Sequence, residues 1–417
     1  MLALMLVGVA PITSEAAVAP APAMAPVSAV AGAPAGSRCL QKAPAAHWIT
    51  GWLHVCGTTI LDQAGHRVRL TGIEVSSLGW GAGPADPRPP CGGTWRPPPS
   101  FAYPDIATWG FNSVELFISW ANLEPVPPSS GTDGTVIHHW DDDYLAELDR
   151  AIAGFRAHGV AVVLSMLQSR WSASFKDISF SNGLSTDCGA GMPAWLYPRG
   201  GGARAMVKAE ERFFQNEDGV QSQFLDAWRF IARRYVGDST VVGVLPLFEA
   251  YDVLTQPYPG ASALGPADLH LARFFERVAR AVHAINPRLL VMVTEQRSRT
   301  TRRWALTRRP HVPNGVLTTE FYAGNWIPNG LRRLSDHQER ALRWDMPMWI
   351  DEFSAFNRTL DFAVDPNWKR DTRALLAHAK AHGIGWALCG YAAGGFQREN
   401  AVRRPKPGLL PILRAGF

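Results

Sequence analysis

The sequence predicts a single (β/α)8 TIM barrel preceded by a short N-terminal β-hairpin. Eight short apolar runs with β character alternate with amphipathic helical stretches over most of the 417 residues. This alternation is typical of parallel βαβ units, and strands that are apolar on both faces indicate a sheet covered on both sides. An open doubly wound sheet is the alternative, but the eight runs and the missing Gly-rich nucleotide loop favour a closed barrel.

The N-terminus resembles an export signal followed by a tether. The run MLALMLVGVAPI is apolar but too short to cross a bilayer, and Ala/Pro-rich sequence follows it. We assign residues 1–16 to a signal-peptide-like segment and 17–45 to a disordered tether, although a basic n-region is missing. Residues 46–417 then form the barrel domain, and the protein is expected to be secreted or associated with the cell envelope.

The folded part begins with alternating apolar and polar residues around Gly and Asp-Gln-Ala-Gly turns, which predicts a β-hairpin. The five cysteines contain no C-x-x-C pair, so a zinc or redox motif is not supported. In an oxidising compartment Cys39 could pair with Cys56 and Cys91 with Cys188. Cys389 lies inside an apolar run and is expected to be a free core thiol.

The eight predicted strands follow one another along the chain and are separated by predicted helices. The strands are residues 68–75, 112–120, 160–167, 241–250, 289–296, 315–322, 347–356 and 384–391. The clearest helices cover 141–159, 224–238, 267–287 and 369–383, each with apolar residues at helical spacing and a Gly or Pro near its end. The first of them also opens with acidic residues, which suit the positive end of a helix dipole.

Composition and motifs exclude several function classes. The net charge of +5 comes from scattered arginines without a long basic run, so a nucleic-acid partner is not expected. No G-x-S-x-G, H-E-x-x-H or P-loop motif occurs. The adjacent His138 and His139 are assigned to a surface loop. A metal site made from strand-end Glu residues would lack nearby His ligands, and we predict neither a metal nor a cofactor.

Polar and aromatic residues recur where the predicted strands end, which is the end of a barrel that carries its active site. They are Glu74, Glu115, Gln168, Glu249, Glu295, Glu320, Tyr322, Glu352 and Trp386. Carboxylates are poor strand residues and costly to bury, so their recurrence at one level indicates a functional site. Glu249 and Glu352 end the fourth and seventh strands. Two carboxyl groups about 5–5.5 Å apart are what glycoside hydrolysis with retention requires.

Three segments together resemble glycoside hydrolase family 5, the cellulase-like branch of the barrel glycosidases. They are the pattern G-x-x-I-x-D-x-x-G-x-x-V-x-L-x-G before the first strand, FNSVELFISWANLEP at the second, and YLAELDRAIAGFRAHGVAVVLSMLQ around the third. The stretch ISWANLEP is also similar to the endoglycoceramidase-like members. The resemblance covers roughly residues 50 to 395 and implies a barrel with catalytic Glu residues on strands four and seven.

The resemblance implies a role for individual residues of this chain. Glu249 matches the family's acid/base and Glu352 its nucleophile, Tyr322 the tyrosine that hydrogen-bonds the nucleophile, and Trp386 the tryptophan that floors the sugar subsite. Trp80, Trp171 and Trp326 follow strand ends and could stack on further sugar rings, because the apolar faces of a pyranose pack well on aromatic rings. Gln168, Glu115 and Glu320 complete the expected substrate contacts.

The chain departs from the family pattern at four positions. Phe248 stands where the family has Asn, Glu115 where it has Arg, and Leu167 and Glu320 where it has His. These changes add negative charge and remove donors, so the pKa of nearby carboxyls should rise. We expect a monomeric exported glycosidase that cleaves a β-linked glycoside of a polysaccharide or glycoconjugate. The alternative is a degenerate barrel that binds glycan without hydrolysing it.

Overall fold

The computed structural model describes residues 43–79, 97–167, 171–172, 174–175, 191–248, 267–294, 306, 308–321, 331–354, 366–391, 397–398 and 401–417. All of them belong to one unit, Gln41–Phe417. The signal-peptide-like segment 1–16 and most of the predicted tether lie outside the described residues. At the start of the described chain Ala43 is buried, and Ala45 forms a β-bridge with Arg67.

Fifteen strands lie within the described residues. They are β1 His54–Cys56, β2 Thr59–Leu61, β3 Arg67–Val68, β4 Thr71–Val75, β5 Ser113–Ile118, β6 Ser129–Ser130, β7 Val136–Ile137, β8 Ala161–Leu167, β9 Val241–Phe248, β10 Leu290–Thr294, β11 Gly315–Glu320, β12 Met348–Phe353, β13 Gly385–Leu388, β14 Gln397–Arg398 and β15 Ala401–Pro405. Eight of them, β4, β5 and β8–β13, pair in parallel and close into a barrel in which β13 meets β4. The predicted (β/α)8 fold and all eight predicted strands are confirmed.

Nine α-helices lie within the described residues. They are α1 Ala102–Trp109, α2 Trp120–Leu123, α3 Asp142–Ala157, α4 Ala203–Gln215, α5 Val220–Arg234, α6 Ala267–His283, α7 Leu331–Trp344, α8 Trp368–Ala381 and α9 Leu409–Gly416. The four clearest predicted helices correspond to α3, α5, α6 and α8. Helix α3 starts where the Asp141 side chain accepts a hydrogen bond from the Tyr144 backbone amide at 2.8 Å, which satisfies a free amide of the first turn. No described helix has the length and apolar character needed to cross a membrane.

The core has two layers, because barrel strands are buried on both faces. The inner cluster fills the barrel and includes Phe117, Val163, Leu245 and Trp349. The outer cluster lies between the strands and the helices and takes the neighbouring side chains, such as Ile350. Apolar residues therefore occupy successive strand positions, which explains the near-continuous apolar runs of the sequence.

A three-stranded antiparallel sheet, β1–β2–β3, covers the N-terminal end of the barrel. Ile60 and Val68 of this sheet, and Leu53 just before it, join the inner cluster. The Val55 amide donates to Oδ1 of Asn314, just before β11, at 3.0 Å. The predicted hairpin is thus present and gains a third strand. Because this sheet covers the N-terminal end, the opposite end, where the strands finish, is where a substrate would enter.

Candidate active site

Four carboxylates and a thiol meet at the C-terminal end of the barrel. Glu74 of β4 pairs in register with Glu115 of β5, and β12 supplies Asp351 and Glu352. Cys389 directly follows β13. One carboxylate oxygen of Glu74, one of Glu352 and the Cys389 sulfur all lie within 4.8 Å of one another. The parallel strands therefore bring together residues that are far apart in the chain.

An extra residue in β12 explains how two adjacent acids reach the site. From Trp349 to Glu352 the chain of β12 advances three positions, whereas the paired segment of β11 advances only two. The same difference separates Ile350–Phe353 from its paired segment of β13. Such a bulge interrupts the alternation of side chains. Asp351 accepts a hydrogen bond from the Thr318 hydroxyl at 2.9 Å, while Glu352 joins Glu74 and Cys389.

Strand β9 also carries extra residues, relative to β8. One of these irregularities lies between Leu245 and Phe248, next to Pro246, which has no amide to give to the ladder. Phe248 closes the strand inside the barrel, with its ring 4.7 Å from that of Phe117. Phe248, at the position where the family has Asn, thus belongs to an apolar layer, with Leu167 in the same inner cluster.

Burial raises the pKa of each of these four carboxyl groups, Glu74, Glu115, Asp351 and Glu352. The pKa of Glu352 rises to about 7, although a hydrogen bond from the Cys389 thiol lowers it in part. The pKa of Asp351 also rises to about 7, although a hydrogen bond from the Thr318 hydroxyl lowers it in part. The pKa values of Glu74 and Glu115 rise well above their usual range through burial and then through neighbouring negative charge. Four carboxylates so placed cannot all be ionised at neutral pH, and they hold protons as a group.

The site lacks positive charge among the residues that the structure describes. No described Lys, Arg or His forms an ion pair with Glu74, Glu115, Asp351 or Glu352. Within the same part of the chain, Oε1 of Glu74 and Oδ1 of Asp351 also have no hydrogen-bond partner, while the Ser165 hydroxyl faces Glu115. The sequence-based expectation of raised carboxyl pKa values thus agrees with the directions found.

Cys389 is a site residue that the sequence analysis missed. It is free, as expected, but partly accessible, and its amide donates to the Phe353 carbonyl at 2.8 Å, which ties it to the end of β12. Burial and the neighbouring carboxylates raise the pKa of its thiol well above the usual range. The expected core position is therefore wrong. The signal available in the sequence was its place at a strand end, at the level of Glu352.

Two of the predicted sugar platforms are buried instead. Trp386 is fully buried in the outer cluster, stacked on Phe417 with centroids 5.6 Å apart, because β13 turns this side chain towards the helices. Trp171 is 3% exposed, packs against Phe213 and donates to the Tyr197 hydroxyl at 2.9 Å. Both positions are unlike that of a ring that stacks on substrate, so these two assignments are corrected.

The other predicted site residues divide into two groups. Glu115 is fully buried, and Glu320 is partly buried at the end of β11 in register with Glu352, so both belong to the strand-end level of the site. Outside the described residues lie Glu249, Tyr322, Gln168, Trp80 and Trp326. Glu249 follows Phe248, the last residue of β9, along the chain.

A second charged cluster supports the segment after β5. The fully buried Glu124 accepts from Trp120 Nε1 at 2.9 Å, and its other oxygen lies 2.7 Å from His138 Nδ1. Hydrogen bonding to Asp226 and to Glu124 raises the pKa of His138 to about 9. His138 is therefore a half-buried structural partner and not a surface residue as expected. His139 is exposed and contacts the Ser129 hydroxyl at 3.0 Å.

Among the described residues, one cysteine takes part in a disulfide bond. Cys56 forms a disulfide. The two expected pairs, Cys39 with Cys56 and Cys91 with Cys188, involve residues outside the described part of the chain. A disulfide at Cys56 is typical of a protein from an oxidising compartment.

Comparison with known proteins gives a family match and several structural neighbours. The model of the Cellulase family (glycosyl hydrolase family 5) matches residues 61–392. An endogalactoceramidase structure is 22% identical, with a TM-score of 0.62 over 81% of this chain and 74% of that one. Endo-glycoceramidase II from Rhodococcus sp., as its lactosyl-enzyme intermediate, is 20% identical, with a TM-score of 0.60 over 87% and 80%. Thermotoga maritima Cel5A is 15% identical, with a TM-score of 0.51 over 82% and 96%. No curated protein sequence matches the chain.

Proposed function

The chain belongs to the cellulase family, glycosyl hydrolase family 5, and from this premise we propose that it hydrolyses a β-linked glycoside by a retaining two-carboxylate mechanism. The observation that carries the proposal is the position of Glu352. This carboxylate stands one residue before the end of the seventh barrel strand, is partly accessible, and lies beside Glu74 at the end of the barrel where substrates bind.

The reaction has two steps in this proposal. Glu352 attacks the anomeric carbon, and the bond to the leaving oxygen breaks as Glu249 donates its proton to that oxygen. Glu249 then takes a proton from water, which attacks the anomeric carbon and releases Glu352. The apolar layer of Phe117, Phe248 and Leu167 keeps the inner side of the site dry, which favours charge-charge interactions in the transition state.

The substrate class is proposed as a polysaccharide or a glycoconjugate. Two structural neighbours are named as an endogalactoceramidase and an endo-glycoceramidase, so glycosylceramides belong in the test panel beside β-glucans. Export is part of the proposal and is supported by the apolar N-terminal run and by the disulfide at Cys56. We also propose a monomer, which light scattering of the purified protein would test.

Intact-mass labelling with 2-deoxy-2-fluoro glycosides of several sugars tests the mechanism. A covalent adduct mapped to Glu352, absent in Glu352→Gln and kept in Asp351→Asn, is the expected result. No adduct with any sugar, in a folded protein that still binds glycan, would replace the proposal with a binding barrel.

A second assay separates Glu249 from Glu74 as acid/base. With an aryl glycoside whose leaving group needs no protonation, Glu249→Gln should keep the glycosylation step and lose most of its turnover of natural substrate. Glu74→Gln should not show this pattern. The reverse result would assign the acid/base role to Glu74.

A further inference from the structure

We propose that Glu74, Glu352 and Cys389 form a binding site for one divalent metal ion that accepts a sulfur ligand, such as zinc or cobalt. Their three ligand atoms, two carboxylate oxygens and a sulfur, lie within 4.8 Å of one another. In a tetrahedral zinc site, Zn–S and Zn–O bonds of about 2.3 and 2.0–2.2 Å place the ligand atoms about 3.4–3.7 Å apart. A small side-chain adjustment therefore brings all three onto a single ion.

An unpartnered buried oxygen supports the proposal independently of the cluster's composition. Glu74 is 3% exposed, and its Oε1 has no hydrogen-bond partner among the described residues. A buried carboxylate oxygen without a partner is costly unless a donor or a cation satisfies it. The same carboxyl group supplies a ligand atom next to Cys389 and Glu352, so a cation held by both of its oxygens would satisfy Oε1.

Charge points to a cation as well. Glu115 and Asp351 add two carboxyl groups behind the three ligands, and no described basic side chain pairs with any of the four acids. A divalent ion would supply the missing positive charge. The strand-end residues identified from the sequence supply carboxylates and no His as metal ligands, whereas the fold brings the Cys389 thiol beside them.

The ligand types select the metal. A thiolate is a soft ligand, and together with two carboxylates it favours zinc or cobalt over magnesium or calcium, which prefer all-oxygen sites. On binding, the metal–sulfur bond forms, the S–H bond of Cys389 breaks, and the proton passes to solvent. Glu352 and Cys389 are partly accessible, so water can complete the coordination.

The site shares Glu352 with the proposed hydrolysis, but its existence does not depend on that activity. A bound ion would occupy the carboxylate that the proposed mechanism uses as nucleophile. Zinc should therefore inhibit any hydrolysis competitively with substrate, and a chelator should restore it.

Titration of the full-length protein with cobalt chloride, and with zinc chloride in competition, tests the site. We expect one equivalent of Co²⁺ to give a near-ultraviolet thiolate-to-cobalt charge-transfer band that zinc removes. Cys389→Ala should abolish the band, and Glu74→Gln should weaken zinc affinity by at least the ~10–100-fold that changes around metal ligands cost.

The matched control is His382→Ala, which removes half of the His378–His382 pair on α8, whose rings lie 4.3 Å apart and could bind metal by themselves. This variant should keep the band. A band that persists in Cys389→Ala, zinc affinity lost only in His382→Ala, or no band at saturating cobalt would each overturn the proposal. Circular dichroism in the presence of chelator checks that the variants are folded.

Discussion

His138 Nδ1 lies 2.7 Å from Oε1 of Glu124, a carboxylate that is fully buried beside Trp120. Oδ2 of Asp226, on α5, lies 3.7 Å from Nε2 of the same imidazole. Through Asp226, His138 connects the segment after β5 with α5, and its ring stacks on Trp140 with centroids 4.6 Å apart. A protonated imidazole therefore links Glu124 to α5 in the folded protein.

This pair predicts a specific pH dependence of stability. The folded-state pKa of His138 is about 9, above the unfolded value of 6.5, so its stabilisation is complete below about pH 6.5 and is lost as the pH rises through about 9. Because the imidazole is only half-buried and solvent screens it, we expect about 1–2 kcal/mol, less than the full linkage value. Urea unfolding of wild type and His138→Gln from pH 6 to pH 10 should show a difference that shrinks at the alkaline end. A constant difference would assign the contribution of His138 to packing alone.

The corrected position of Trp386 predicts a stability effect. Truncation to Ala removes a fully buried ring from the outer cluster and should cost about 3–5 kcal/mol. Trp386→Phe keeps part of the stack on Phe417 and should fold with a smaller loss. Its KM for any hydrolysed glycoside should match that of the wild type, whereas a sugar platform would show a raised KM without a change in unfolding free energy.

The backbone at Gly191 lies close to the backbone of Trp171, so we expect a side chain at this position to destabilise the protein. A Cβ added at Gly191 would lie 2.2 Å from the Trp171 carbonyl oxygen, at a φ of +85°. Gly191→Ala should therefore destabilise the protein by more than the ~1 kcal/mol expected for positive φ alone. Gly134 is the matched control, since its φ of +79° is similar and an added Cβ meets nothing within 4 Å. Equal thermal shifts in the two variants would contradict the steric argument.

We expect substitution of Glu115 by Gln to leave the stability of the protein unchanged or to raise it. The side chain is fully buried, and the hydrogen bond that the Ser165 hydroxyl offers it does not offset the effect of burial on its pKa. Glu115→Gln keeps the shape and removes a possible buried charge, so unfolding free energy at neutral pH should stay within about 1 kcal/mol of wild type or rise. Glu115→Leu is the matched test of polarity. A strong loss in Glu115→Gln alone would show that the carboxylate has an essential partner.

The fold was predictable because its signals are local and repeated. Eight apolar runs, separated by helices with acidic starts and Gly or Pro ends, indicate a closed barrel, and each run lies on an observed strand. The shared position of Glu115, Glu320 and Glu352 near the C-terminal ends of their strands was predictable as well, because parallel strands end at one side of a barrel.

The orientation of single side chains was not predictable. In a strand buried on both faces, polarity does not tell which face a residue occupies, so Trp386 was assigned to the substrate side and Cys389 to the core. The bulge in β12 has no signal in the sequence around Asp351. The half-buried position of His138 was not predictable either, because its partners, Glu124 and Asp226, are 14 and 88 positions away.

The extra residue of β12 makes the site depend on strand length as well as on residue type. Deleting one residue between Trp349 and Phe353 would restore regular alternation, so the two acids could no longer both face the barrel interior. Point substitutions alter the chemistry of this site, whereas a single-codon deletion would dismantle it and leave every neighbouring side chain intact. Related sequences that vary in length at this strand would therefore be expected to differ in activity even where their acidic residues align.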